Sequence, residues 1–279
     1  MKKLNRVLSL SAAAALALSL TACSGGTSGT ADTPAADNTS ASTGGSGDTY
    51  TVAVIKQMDH ASLDEIADAI AARLDEIAAE NGITIQYEVT SGQGDQTVLR
   101  QLADQAIADG VDAIIPIATT AAQVAAVSAE ESQTPVVFAA ISYPETADLT
   151  GIDYVTGTSD ALDTNLILDM MLAQNPELQS VGLLYSLSEP NSEVPIADAK
   201  AYLDEKGIAY TEATANTNDE VIAAASSLIA SGVDAVFTPT DNIIMAAELA
   251  IYEDFINAGI PHYTGADSFV RNGAFATCG

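Results

Sequence analysis

The chain has 279 residues, with 9 lysines and arginines against 38 aspartates and glutamates, a net charge of −29 at pH 7. Nucleic acid and anionic lipid both need a basic face, and so few basic residues spread along the chain cannot form one. With 2 cysteines and 48% hydrophobic residues, the chain has no disulfide framework and must fold on an apolar core.

The first predicted element is an export signal. Lys2, Lys3 and Arg6 precede an apolar run from Val7 to Leu20, too short to span a membrane, and Leu20-Thr-Ala-Cys23 has the pattern of a bacterial lipobox. Residues 1–22 are expected to be a lipoprotein signal peptide, with Cys23 the lipidated first residue of the mature chain. The two acyl chains of a diacylglyceryl group suffice for stable anchoring, here to the outer face of the cytoplasmic membrane. The signal takes away three of the basic residues and no acid, which leaves 6 against 38, a net −32. Residues 23–49 are small and polar, cannot bury enough surface to offset their ordering entropy, and read as a flexible tether. Cys278 is left without a partner.

From Tyr50 onwards, β-rich runs alternate with amphipathic helices. YTVAVIK is a buried strand, and the helix from Ser62 carries Leu63, Ile66, Ile70, Leu74 and Ile77 on one face. Ser62 and Glu65 have capping-box spacing, and Asn81-Gly82 closes the helix. ITIQYEV is the next strand, followed by a helix that Asp95 can cap, then AIIPIA, a short helix over Thr120 to Glu131, PVVFAAI and DYVTGT. The alternation predicts a parallel sheet covered by helices on both sides. After Ser159 the scheme restarts with helices over Ala161 to Ala173, over Glu193 to Lys206, from Asp219 and from Asp241, set between the strands SVGLLYS, IAYTEAT, AVFTPT and PHYTGAD. GVDAIIPIATT at Gly110 is echoed by GVDAVFTPTDN at Gly232, each in the third strand of its series. The expected fold class is α/β, with two Rossmann-like lobes over residues 50–157 and 158–279. The second lobe is expected to be incomplete, because only SFVRNGAFATCG follows its fourth strand.

In open parallel sheets ligands bind beyond the carboxyl ends of the strands. There the chain places loops such as QMDHAS, SGQGDQ, ATTAAQ, ISYP, SLSEPNS, PTDN and GADS. Taken singly, most of their polar residues are best explained as helix N-caps. Together they surround one cleft with hydroxyls, carboxylates and backbone N–H groups. Such a cleft suits a small zwitterion, its carboxylate at helix N-termini and its ammonium near Asp241 or Asp267. Tyr143, Tyr154 and Tyr185 stand at strand ends where they could stack or pack. No catalytic residue, metal or cofactor is expected. There is no nucleophile elbow or P-loop, Gly92-x-Gly94-x-x-Thr97 lacks the third glycine of a dinucleotide site, and His60 and His262, the only histidines, share no ligand spacing.

The lipobox, the tether and, in order, VAVIKQMDHASLDEI, SGQGDQTVLRQLADQAIADGVDAIIPIATTAAQ, PVVFAAISYP, VTGTSD, VGLLYSLSEPNS, VFTPTDN and GADSFVRNGAFAT resemble the tryptophan/tyrosine-type substrate-binding proteins of bacterial ABC transporters. The resemblance implies a type I periplasmic-binding-protein fold, no catalytic activity, and a monomer that closes on a ligand, often an aromatic amino acid, and docks on an ABC permease with its ATPase. It carries ligand contacts over to His60, Ala61 and Ser62; Gln93, Gly94 and Asp95; Thr119 and Thr120; Tyr143; Ser188, Glu189 and Asn191; Asp241 and Asn242; and Asp267. It also implies that the family's chains continue past the position of Gly279 through a further crossover and a helix on the first lobe. The alternatives are a sensory module presenting a solute to a membrane receptor and a secreted α/β enzyme using cleft carboxylates.

Overall fold

The structure is a computed structural model that describes residues 47–278; the signal, Cys23 and nearly all of the tether lie outside the described residues. The first sheet contains β1 (Thr49–Lys56), β2 (Thr84–Ser91), β3 (Ala113–Ile117), β4 (Val136–Ile141) and β5 (Val155–Ser159), in the order β2-β1-β3-β4-β5 and all parallel. The second contains β6 (Ser180–Tyr185), β7 (Ala209–Thr214), β8 (Ala235–Thr238), β9 (His262–Thr264) and β10 (Ala276–Thr277), in the order β10-β9-β8-β6-β7, again all parallel. Read from its own first strand, the second sheet has the same order as the first. The described chain passes from one sheet to the other through residues 160–163.

Helices cover both faces of each sheet. Around the first run α1 (Ala61–Asn81), α2 (Gln96–Ala108) and α3 (Thr119–Ser128). Around the second run α4 (Thr164–Gln174), α5 (Glu193–Lys206), preceded by a 3-10 turn over Pro190–Ser192, α6 (Asn218–Ser231), α7 (Asn242–Ala258) and the short α8 (Asp267–Arg271). Alternation along the strands divides the core. In β6 and β8, Val181, Leu183, Ala235 and Phe237 pack towards α4 and α5, while Leu184 and Val236 pack towards α6 and α7, as the period of two requires.

The repeated GVDA stretch is the same joint built twice. Gly110 and Gly232 end α2 and α6 in the left-handed conformation, at φ 74° and 72°, which glycine adopts without a Cβ clash. The valine that follows packs into its lobe's core. The aspartate then holds the start of the central strand. Asp112 accepts from the backbone N–H and hydroxyl of Thr51, and Asp234 from the N–H groups of Gln179 and Ser180 and the Ser180 hydroxyl. The internal echo records two lobes that begin their third strands by one device.

Local expectations fail at two places. The second sheet has a fifth strand, β10, beyond the four read from the sequence, its two residues pairing with Tyr263 and Thr264. The capping box at Ser62 and Glu65 does not form. Helix α1 begins at Ala61, with His60 at the N-cap and no side-chain cap, and both box residues bond instead to the other lobe.

Candidate functional site: the cleft between the lobes

Strand order reverses on either side of β1 and β3 in the first sheet and of β6 and β8 in the second, and such switch points are where open α/β sheets leave a crevice. The loops after these four strands face one another. They enclose a cavity with about 510 Å³ of space not filled by atoms, its mouth included, lined by residues such as His60, Ser62, Thr119, Ser142, Asn191, Thr240 and Asn242. Its apolar wall is made by Leu63, Ile66, Met245 and Phe269.

Cross-cleft hydrogen bonds hold the lobes closed. Gln57 Nε2 donates to Glu189 Oε1, His60 Nε2 meets Asn242 Oδ1 at 3.0 Å, and Ser142 Oγ meets Thr240 Oγ1 at 3.3 Å. The Ser62 and Ser268 hydroxyls share a short hydrogen bond. At the rim Arg271 donates to both oxygens of Glu65, at 2.8 and 2.7 Å. This exposed pair is screened by solvent and contributes little. Gln57 and Glu189, at 3% and 2% exposure, are the buried heart of the contact.

Helix N-termini in this structure fall into two groups. Asp95, Asp163, Thr217 and Asp241 cap α2, α4, α6 and α7 with their side chains. The first-lobe helices that open onto the cavity, α1 and α3, have no side-chain cap. Ala118 at the N-cap of α3 holds φ 77° and ψ 160°, and Ala140 in β4 holds φ 58°. Both line the cavity. Non-glycine residues persist in such conformations only where surrounding structure imposes them, and they gather at ligand sites. Replacing Ala118 by glycine is therefore expected to raise stability by about 1 kcal/mol, the relief of strain less glycine's entropy cost, measured by chemical denaturation; a destabilised variant would contradict this.

Two carboxylates on the lining differ sharply. Asp241 is fully buried; its Oδ2 accepts from the Ser186 N–H and the Ser192 hydroxyl, both at 2.7 Å, and its Oδ1 from the N–H groups of Ile243 and Ile244. Asp160, in the segment that joins the lobes, is exposed, and its carboxylate bonds to no described residue. Burial pushes the Glu189 carboxyl well above the ordinary glutamate range, and the neighbouring Asp241 charge adds to the shift. Burial raises Asp241 as well, against four hydrogen bonds that hold it down, whereas Glu189 receives two side-chain amides, from Gln57 and Asn242. Burial lowers His60, which is neutral.

Of the residues carried over by resemblance, His60, Ser62, Thr119, Asn191, Asp241 and Asn242 line the cavity. Thr120 and Glu189 stand behind it, joined through Gln57, whose Oε1 accepts the Thr120 N–H at 3.2 Å. Ala61 opens α1 beside His60. Gln93, Gly94 and Asp95 form the exposed turn after β2, a strand outside the switch point, where Asp95 caps α2. Tyr143 donates to the Leu162 carbonyl, Ser188 bonds the Ser186 hydroxyl, and Asp267 sits near Arg271 on the surface. Sequence reasoning did not single out Gln57, Ser142, Asp160, Thr240, Ser268 or the apolar wall. Gln57, Ser142 and Thr240 lie in strand-end loops that the fold rule marks; the apolar wall had no signal of its own.

A sequence model of the family described as ABC transporter substrate binding protein matches residues 51–279. The chain belongs to this family. It is 27% identical over 233 residues to a tyrosine-binding protein of Clostridioides difficile, covering 82% of this chain and 67% of that one. An ABC domain from Streptococcus pneumoniae solved in complex with L-Trp superposes with a TM-score of 0.76 at 27% identity, over 82% of this chain and 78% of that chain. A conserved domain protein of Vibrio cholerae superposes at 0.75 with 25% identity, over the same shares of each chain. The two parallel α/β lobes are those of the type I periplasmic-binding-protein fold. This substrate-binding protein is thus a solute binder and not an enzyme.

Proposed function

We propose that the cleft binds an amino acid with an aromatic or large apolar side chain and that the protein delivers it to an ABC permease and its ATPase. The observation that carries this reading is the asymmetry of the cavity. The N-termini of α1 and α3, neither capped by its own N-cap side chain, offer a carboxylate the positive end of the helix dipole and backbone N–H groups other than that of Thr120, which Gln57 takes. Phe269, Met245, Leu63 and Ile66 offer an apolar wall to a side chain. Asp160 offers the ammonium an unengaged carboxylate, whereas both Asp241 oxygens are occupied within the protein. The tyrosine-binding relative and the L-Trp complex support this ligand class.

Calorimetry against the amino acids, together with their deaminated and decarboxylated analogues, tests the reading. Aromatic amino acids are expected to bind, with both truncated analogues weaker. A charge-assisted hydrogen bond contributes about 1.5–3 kcal/mol, so Asp160→Asn is expected to weaken amino acids by roughly 10- to 100-fold and to leave the deaminated acids unchanged. No heat with any amino acid would sink the assignment.

The same reading places the mature protein on the outer face of the cytoplasmic membrane, with diacylglyceryl on Cys23 and residues 24–48 as its tether. Support comes from the basic start, the apolar run and LTAC. Mass spectrometry of the membrane fraction is expected to find a lipidated Cys23 at the N-terminus, and Cys23→Ala to prevent it.

A further inference from the structure

Glu189 stands one layer behind the cavity, off its lining, and its two oxygens meet different partners. Oε1 accepts from Gln57 Nε2, and that amide cannot turn round, because its Oε1 accepts the Thr120 N–H. Oε2 meets the Asn242 amide at 2.6 Å, and the other end of that amide meets His60 Nε2 at 3.0 Å. His60 lines the cavity, and its Nδ1 is buried without a hydrogen-bond partner.

Donors and acceptors along this chain can be assigned in two ways. With Glu189 ionised, Asn242 Nδ2 donates to Glu189 Oε2 and Asn242 Oδ1 accepts from His60 Nε2–H. His60 Nδ1, buried and without a hydrogen-bond partner, is then an acceptor on a residue that lines the cavity. With a proton on Glu189 Oε2, its O–H donates to Asn242 Oδ1 and Asn242 Nδ2 donates to His60 Nε2. The imidazole then carries its proton on Nδ1, which becomes a donor. The two ends of an amide are isosteric, so the same heavy-atom positions serve both assignments.

We propose that Glu189 is a positioning residue that takes up one proton from solvent as the lobes close on an anionic ligand group, turning His60 Nδ1 into a donor towards that group. The inference rests on the reading of the cleft as a carboxylate site, since His60 is itself the N-cap of α1. An imidazole lone pair aimed at a carboxylate repels it; an N–H attracts it. Closure supplies the driving force. Gln57 and His60 belong to the first lobe and Glu189 and Asn242 to the second, so the glutamate loses its water only when the lobes meet. Burial and the Asp241 charge both favour its neutral form. The other groups around it are consistent with this assignment. The first turn of α3 brings the uncharged Thr119 and Thr120. Glu193, which opens α5, is exposed. Lys56 is held by Asp59 and Asp64, and those three charges bear on His60.

The sign follows from linkage. The closed form holds the proton to higher pH than the open form, where Glu189 is near the ordinary glutamate range. Affinity is therefore full at acid pH. It falls by up to about tenfold per pH unit as the pH rises from the open-form pKa towards the raised closed-form one, then levels off. Calorimetry of the full chain with L-tryptophan and L-tyrosine, in two buffers of different ionisation heat near pH 7, is expected to show uptake approaching one proton. Glu189→Gln reproduces the protonated acid, its carbonyl accepting from Gln57 and its amide donating to Asn242 Oδ1. This variant is expected to show no proton uptake and a flat pH profile. Nitrogen-15 spectra of the complex should show the Nδ1–H tautomer at His60. No uptake by the parent protein, or uptake that persists in Glu189→Gln, would overturn the proposal. If neither amino acid binds, the ligand reading falls, and the His60 tautomer in the protein alone then decides. A switch between tautomers from about pH 5 to 9 that Glu189→Gln abolishes supports the relay, and a tautomer that stays invariant while the His60–Asn242 hydrogen bond is formed overturns it.

Discussion

Asp241→Ala is expected to destabilise the protein by about 3–4 kcal/mol, the sum of a lost helix cap and of buried donors left unpaired. The side chain joins two segments of the second lobe. It caps α7 through the N–H groups of Ile243 and Ile244, and it ties the loop after β6 through the Ser186 N–H and the Ser192 hydroxyl. Alanine strands all four donors in a place with no access to solvent. In a domain of this size the loss corresponds to a fall of about 10 °C in Tm, measured by circular dichroism without ligand. Asp241→Asn retains one carbonyl for two of the donors but turns an NH2 group against the others, and is expected to lose roughly half as much. A variant as stable as the parent yet unable to bind amino acids would reverse the assignment and make Asp241, in place of Asp160, the ammonium partner.

The limits of the sequence follow from what a local pattern can encode. Strand and helix periodicity carried the two α/β series because each element buries a stripe against its own sheet, and the GVDA echo is legible because the joint it forms is local. Strand β10 has two residues, too few to display a period. Ser62 and Glu65 match a capping box by spacing, but their partners Ser268 and Arg271 lie 206 residues further on, and a short-range signature cannot register such competition. The apolar wall hid for another reason. Leu63 and Ile66 begin the same stripe that continues through Ile70 and Leu74 into the first-lobe core, so the pattern does not show where core ends and cavity begins. Strand-end polar residues were legible as a set, since the fold places them around one crevice. Their division into lining residues, caps and second-layer supports depends on side-chain direction, which the sequence does not display.

Gln57→Ala is expected to weaken ligand binding by roughly 30- to 1,000-fold while leaving the Tm of the ligand-free protein almost unchanged. The magnitude follows from two buried hydrogen bonds and a carboxyl that loses a partner, together about 2–4 kcal/mol. Gln57 reaches back to the N-terminus of α3 through its Oε1 and across the cleft to Glu189 through its Nε2. In an open form both amide ends can bond to water, so the side chain adds little to the fold. On closure water leaves, and the same amide satisfies a helix N–H on one lobe and a carboxyl on the other. Its energy therefore appears in the open-to-closed equilibrium, and apparent affinity scales with the fraction of closed form that the ligand can recruit. Scattering is expected to show the parent contracting on saturation with an aromatic amino acid and the variant contracting only at far higher concentration. Gln57→Glu sharpens the test. A carboxylate facing Glu189 and the Thr120 N–H keeps one acceptor but sets two acids together, so closure then demands a second proton and binding should recover only at low pH. A Gln57→Ala protein that binds as tightly as its parent would show that the lobes are held by the ligand alone, and that the buried Gln57–Glu189 contact contributes nothing to capture.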